Sequence, residues 1–500
     1  MTICALCSQP FEITEADHAF YRKIEVPPPT LCPKDRLKRR LSFRNERNLF
    51  KRKCDKTGKD IISNFRADVP FPVYEVEEWH KDDWTPPMLA SYDFSKGFFE
   101  QFAELMKIAP HMHKASGGNE INSPYTNHAG NCKNCYFMFN SEYDEDCMYM
   151  RFGDHCRDCV DVTNILDSEL CYECVNVEKC YDLRHSDDCK NCTSSAFLRY
   201  CRGVTNSLFC YGLEHKEYHV FNQPVGKEEF ERIKKELALD TYTGFQSAVK
   251  RWEEWSAQFP RRRQVIQNCE NVTGDALYNS KNAFDCYNCT NLHDCRYVLN
   301  SAKVKDSYDF YAYGETELSY ECVTAFKVYN AAFCSYIIQC DYMEYSDYCW
   351  GCHYCFGCSG LKGKSYCIFN KQYTKEEYFD LVARIKAQMK ERGEYGEFFP
   401  ISLSPFPYED TLAQDYFPQQ EKVTSVAQGS YLSTKTLPDE SRDIDAESLS
   451  KNTYLCPQTH KLFRFQKMEL EYYKKQGIPV PHVSFEARYR KRNELVAFPY

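Results

Sequence analysis

Cys4 and Cys7, followed by Cys32-Pro-Lys-Asp35, have the paired-knuckle spacing of a zinc ribbon. In such a ribbon each ligand pair sits on a tight turn, and Zn2+ takes four ligands in a tetrahedron. Asp35 stands where a fourth cysteine is usual. A carboxylate also ligates zinc, and Cys54, in Cys54-Asp-Lys-Thr-Gly-Lys, competes for the same place. With all four positions filled by protein, the single ion is structural and leaves no open place for water. No catalytic constellation accompanies it. His155 and His353 adjoin cysteines but fall at outward positions, and the chain has neither a phosphate-cradling glycine loop nor a G-x-S-x-G turn.

Next to the ribbon lies a basic run. Lys34, Arg36, Lys38, Arg39, Arg40, Arg44, Arg47, Lys51, Arg52 and Lys53 face only Asp35 and Glu46, a balance of +8 over 21 positions in a chain whose formal net charge is −9. Eight of them, Arg36, Lys38, Arg39, Arg40, Arg44, Arg47, Lys51 and Arg52, are candidates to bind RNA, DNA or a ribonucleoprotein through phosphates. The competing reading is that basic ends dock on the acidic arrays of the same molecule, or of its dimer.

Most of the 29 cysteines lie elsewhere, in two blocks. From Cys132 to Cys210, and again from Cys286 to Cys367, every gap between successive cysteines is a multiple of three. Intervening positions of the same phase carry Met138, Ser141, Val162, Ile165, Val177 and Leu198, with Asp144 the one charged exception. One residue in three points inward, a period that suits neither helix nor flat strand. A chain bending at short intervals fits, with Asn or Asp before many of the cysteines (Asn131, Asn134, Asp146, Asp158, Asp188, Asn191) because these tolerate left-handed backbone. The expected fold is mainly β with helices: two cysteine-rich β-solenoid-like arrays of about 18 residues per coil, flanked by an N-terminal zinc ribbon and a degenerate C-terminal one. Array cysteines read first as small buried hydrophobes, with further metal ions or disulfides as alternatives.

Each block ends alike, at Cys210-Tyr-Gly-Leu and Cys358-Ser-Gly-Leu, with a constant offset of 148. The array is therefore duplicated. The chain ends also match at an offset of 452, Cys4-Ala-Leu-Cys7 to Cys456-Pro-Gln-Thr459 and Phe20-Tyr-Arg-Lys23 to Tyr472-Tyr-Lys-Lys475. The organisation reads as a zinc ribbon with basic helix over 1–60, a connecting region with an amphipathic helix over 61–122, the first array over 123–222, and a helical connector over 223–265. The second array follows over 266–371, then a helical cap over 372–400, a linker over 401–452 and a degenerate ribbon over 453–500. Mean hydropathy of −0.63, with no apolar run of spanning length, excludes a membrane helix. The first residues lack the pattern of a signal peptide, so a cytoplasmic location with reduced thiols is expected. Tyrosines beside inward positions (Tyr136, Tyr172, Tyr181, Tyr287) suggest ladders able to form a binding surface.

The ribbon, the segment Pro27-Pro-Pro-Thr-Leu-Cys-Pro, Arg39-Arg-Leu-Ser-Phe-Arg-Asn-Glu-Arg, Phe94-Ser-Lys-Gly-Phe-Phe-Glu-Gln-Phe and the arrays together resemble the uncharacterised cysteine-rich, zinc-ribbon-flanked proteins of small-genome candidate-phylum bacteria. That resemblance implies no activity. The expected function is a non-enzymatic zinc-binding scaffold that engages nucleic acid through its basic ribbon. The alternative is a metal-handling or redox protein holding several ions on its arrays.

Overall fold

The structure is a computed structural model that describes residues 1–419 and 430–500. Two compact units form. One comprises Met1–Lys114, Arg263–Gln420 and Ala497–Tyr500, the other Ala115–Arg262 and Glu421–Val496. The N-terminal ribbon thus shares a unit with the second array, and the C-terminal ribbon with the first.

Within each array, parallel strands pair at a register of twelve residues: Met138 with Met150, Met150 with Val162, Cys322 with Cys334, and Cys355 with Cys367. The expected period of 18 residues is corrected to twelve. Its cause is the corner frequency. A residue with φ near +50° recurs at every third position without a break from His128 to Phe221 and from Ala276 to Phe369. Each corner precedes an inward position, so four three-residue sides return the chain beside its previous pass.

Asn and Asp occupy many corners and form side-chain ladders along them, Asn122 to Asn134 to Asp146 and Asn164 to Asn176 to Asp188. Bulkier corner residues stack instead, as Phe197, Phe209 and Phe221 do at 4.8 and 4.7 Å between ring centroids. Only the first circuit of the second array is short. Glu270 pairs with Lys281, eleven residues on, before the register shifts near Gly274. Gly274 has φ +128°, and a Cβ there would lie 1.8 Å from the Cys286 carbonyl oxygen. This short circuit also brings Cys269 into the inward set, which the unbroken triplet rule had excluded.

Inside the arrays cysteine does more than fill space. From Cys132 to Cys367, each array thiol lies 3.1–3.7 Å from the carbonyl oxygen two residues before it and donates to it. Ser168, Ser186, Ser195 and Ser207 do the same with hydroxyls at 2.7–2.8 Å. Several of these side chains also accept the backbone N–H twelve residues ahead, as Ser141 does from Gly153 and Cys147 from Cys159. The narrow interior therefore selects small side chains whose polar atom has a partner in place.

Both arrays end by the same device. The chain reverses at Phe221-Asn222 and Phe369-Asn370, all four with positive φ, and an antiparallel strand pair closes the last circuit. Helices follow at Lys227–Glu236 and Lys375–Glu391, the latter burying Tyr378, Val382, Ile385 and Met389 as its spacing predicts. The Phe98–Ile108 helix buries Phe98, Phe102, Leu105 and Met106 in the same apolar cluster.

Residues 401–452 do not read as a plain linker. Up to position 419 they pack on the N-terminal segment, with Asp410 paired to Arg66 and Asp415 to Arg47. Leu437 and Ile444 are buried in the core of the other unit. The remainder of that expected linker, 420–429, lies outside the described residues. No helix among the described residues is long and apolar enough to cross a membrane.

Candidate metal centre and its docking helix

One local fold recurs three times. A short antiparallel strand pair turns at Cys4, at Cys54 and at Cys456, and in each case the cysteine N–H bonds to the carbonyl five residues on. The residue four after each cysteine, Ser8, Gly58 or His460, has positive φ and donates its N–H back to the cysteine carbonyl. Each cysteine sulfur then accepts the backbone N–H of the residue that opens a following helix: Cys32 at 3.3 Å, Glu75 at 3.4 Å and Ser484 at 3.4 Å. The turn thus aims N–H groups at a sulfur, the arrangement that stabilises a thiolate.

Only the first of the three gathers further ligands. The ligand atoms of Cys4, Cys7, Cys32 and Asp35 all lie within 4.8 Å of one another. Among the described residues they are the one group of three or more such side chains to converge in this way. Cys7 and Cys32 sulfurs are 3.8 Å apart, the separation that metal–sulfur bonds of about 2.3 Å impose at a tetrahedral angle. An Asp35 oxygen lies 3.1 Å from the Cys4 sulfur and 3.3 Å from that of Cys32. This cluster can hold a metal ion. Asp35 is its fourth member, and Cys54 lies outside it, sequestered in its own turn.

Burial raises the Cys4 thiol, but N–H groups of Cys7, Cys32 and Leu6 outweigh it and hold it below its ordinary range. The same contest at Cys456, with Ser484 and Thr459 as donors, brings that thiol down to about 7. At the offset of 452, Cys7, Cys32 and Asp35 correspond to Thr459, Ser484 and Ala487. The C-terminal ribbon keeps the fold of the site and one of its four ligands.

Cys32 and Asp35 sit at the entry of the Pro33–Leu41 helix, which carries the basic run. Its arginines are turned into protein. Arg36 is 1% exposed and places two guanidinium nitrogens 2.8 and 3.0 Å from Asp309, with a third bonded to the Leu31 carbonyl. Arg40 approaches the other Asp309 oxygen at 2.9 Å, and Arg39 grips Glu321 at 2.9 and 3.0 Å and Glu397 at 2.7 Å. Arg36 also stacks over Tyr297. Tyr297, Asp309 and Glu321 are corner residues of the second array, one above another at twelve-residue intervals.

The second unit repeats this contact. In the Phe485–Asn493 helix, Arg488 bonds Asp161 at 2.8 Å, reaches the Val483 carbonyl and lies over Tyr149, while Arg492 stands 2.9 Å from Asp161. Adding 452 to the arginine numbers, and subtracting 148 from the array numbers, converts one contact into the other. Asp17, which pairs with Arg296, likewise becomes Glu469, which accepts from Arg488 and from the Tyr149 hydroxyl.

The other candidate phosphate binders are also engaged. Arg44 pairs with Glu46 at 2.8 Å and is buried, Arg47 holds Asp415 at 2.6 Å, and Arg52 holds Asp55 at 2.7 Å. Lys38 is half-buried over the Tyr408 ring, and Lys51 alone of the eight is exposed. The expected basic surface is therefore mostly an internal contact. Asp309, Glu321 and Asp161, which sequence reasoning did not single out, complete it. Their signal was present, since acids 148 apart and arginines 452 apart recur together.

Of the tyrosines expected to form a ladder, Tyr172 is buried, Tyr136 and Tyr287 are half-buried and Tyr181 is exposed. Tyr342, Tyr354 and Tyr366 stack on each other at 4.4 and 5.2 Å. No protein-family model matches this chain, and no curated protein matches it.

Proposed function

We propose that this protein is a non-enzymatic, zinc-binding scaffold, built of two β-solenoid arrays with twelve-residue circuits, each clasped by a ribbon. The observation that carries the reading is the closed ligand set, three cysteines and one carboxylate converging within 4.8 Å at the entry of a helix docked on an array. Three thiolates with a carboxylate suit Zn2+, and among the described residues these four side chains are the converging set. The array thiols favour a packing role, because each has a carbonyl to donate to and all but the half-buried Cys269 are buried. A redox or metal-storage function on the arrays is the competing reading.

Elemental analysis of anaerobically purified protein separates the two. About one zinc per chain, falling to none in Cys7→Ser/Cys32→Ser, supports the scaffold. Many ions per chain, or iron, overturns it in favour of the arrays. The nucleic-acid role is weakened by the internal engagement of Arg36, Arg39, Arg40 and Arg44. Filter binding at low salt to mixed RNA and DNA is expected to show no salt-dependent retention, and retention that falls steeply with salt would restore that role.

A further inference from the structure

We infer that the metal latches one ribbon onto its array, whereas the other ribbon is latched without metal. The inference rests on the metal-binding reading above and concerns what the ion controls.

The Pro33–Leu41 helix begins at Cys32, whose side chain makes no capping hydrogen bond to the helix. Cys32 and Asp35 instead face the Cys4 and Cys7 sulfurs. Without an ion, the Cys4 and Cys32 thiols keep their protons and make only S–H contacts to Asp35, whereas a bound cation displaces those protons and replaces the weak contacts with four metal–ligand bonds. The first helical turn therefore holds its place through the ion. The next residues, Arg36, Arg39 and Arg40, bring their charge to Asp309 and Glu321, both 0% exposed. A buried ion pair of this kind is favourable only while its geometry is kept, and losing one partner strands the other in low dielectric. Ion, helix entry and docked arginines thus form one continuous chain of contacts.

The second ribbon supplies the control within the same molecule. Ser484 opens the Phe485–Asn493 helix, and its hydroxyl accepts the Ala487 N–H as an ordinary N-cap. Thr459, Ser484 and Ala487 replace three of the four ligands that a metal would bind. Arg488 and Arg492 nevertheless dock on Asp161 as Arg36 and Arg40 dock on Asp309. The C-terminal latch closes by hydrogen bonds where the N-terminal latch needs a cation.

Hydrogen–deuterium exchange on the full-length protein tests this, before and after EDTA under reducing conditions, with metal content measured in both states. Removal of the ion is expected to speed exchange in the Pro33–Leu41 helix and around Asp309 and Glu321 by at least about tenfold. The Phe485–Asn493 helix and the strands around Asp161 keep their protection. Unchanged exchange in a protein shown to have lost its ion, or equal loosening of both helices, overturns the latch while leaving zinc binding intact. A protein that holds no metal and takes up no added Zn2+ overturns both.

Two variants keep the proposal falsifiable without chelation. Cys7→Thr/Cys32→Ser/Asp35→Ala gives the first ribbon the counterpart set, so its protection becomes insensitive to EDTA. Retained EDTA sensitivity in that variant overturns the proposal. Thr459→Cys/Ser484→Cys/Ala487→Asp is expected to raise zinc from about one to about two ions per chain and make the second latch chelator-sensitive. A content that stays at about one overturns the equivalence of the two sites.

Discussion

Asp144 occupies an inward position that cysteine and serine otherwise share, and it does part of their work. One carboxylate oxygen accepts the Cys156 N–H at 2.9 Å, twelve residues ahead, while the other has no partner. Burial pushes the group up to about 7 from 3.8, with that N–H and His155 opposing and Asp154 assisting. The folded state therefore holds a proton that the unfolded state releases, and stability falls as pH rises from about 4 to about 7 and no further above it. Asp144→Ser keeps the acceptor without the charge. It is expected to remove that slope and to gain roughly 2–4 kcal/mol at pH 8 with little change at pH 3, read from denaturant melts across pH. The thiols make a parallel prediction. Of 29 cysteines, Cys7 is exposed and Cys269 half-buried, leaving 27 buried. Alkylation of metal-free native protein, followed by peptide mapping, is expected to label those two first and the array set only on unfolding.

At the scale of the element, the corner decides the fold. A left-handed conformation costs a non-glycine residue about 1–2 kcal/mol, and these arrays demand it at every third position. Asn and Asp lower that cost and add ladder bonds. Leu170 interrupts a column that runs through Asp158 and Asp182. Leu170→Asn is expected to stabilise the array by about 0.5–1 kcal/mol, and Leu170→Val, β-branched at the same φ, to destabilise it by more than that. Thermal melts of the two variants rank them against the parent, and the reverse order would place the array's stability in the side chains rather than the corners.

Across the whole molecule, neighbours in sequence are not partners in space. Each ribbon clasps the array farther from it along the chain, through one arginine pair on one buried aspartate. Arg36→Ala/Arg40→Ala removes both guanidinium partners of Asp309 and is expected to cost about 3–5 kcal/mol, with loss of exchange protection in the second array. Arg488→Ala/Arg492→Ala is expected to do the same to the first array through Asp161. Deprotection of the sequence-adjacent array in either variant would contradict the pairing.

Composition and spacing by themselves determined the repeat, its duplication, the inward cysteines and the three clustered thiols, because these depend on identities and intervals alone, whereas Asp35 rather than Cys54 as the fourth member was decided by the fold. Even the corner chemistry was legible in Asn131, Asn134 and Asp146. The circuit length was not. Triplets are compatible with 9, 12 or 18 residues, and only the parallel register of Met138 on Met150 selects twelve. The fate of the basic run was equally open, since ten positive charges read the same whether they face phosphate or a buried carboxylate. Tertiary structure brings Asp309 and Glu321 under Arg36, Arg39 and Arg40 from nearly 300 residues away. Charge is local in sequence, but the energy of a charge depends on what is folded against it.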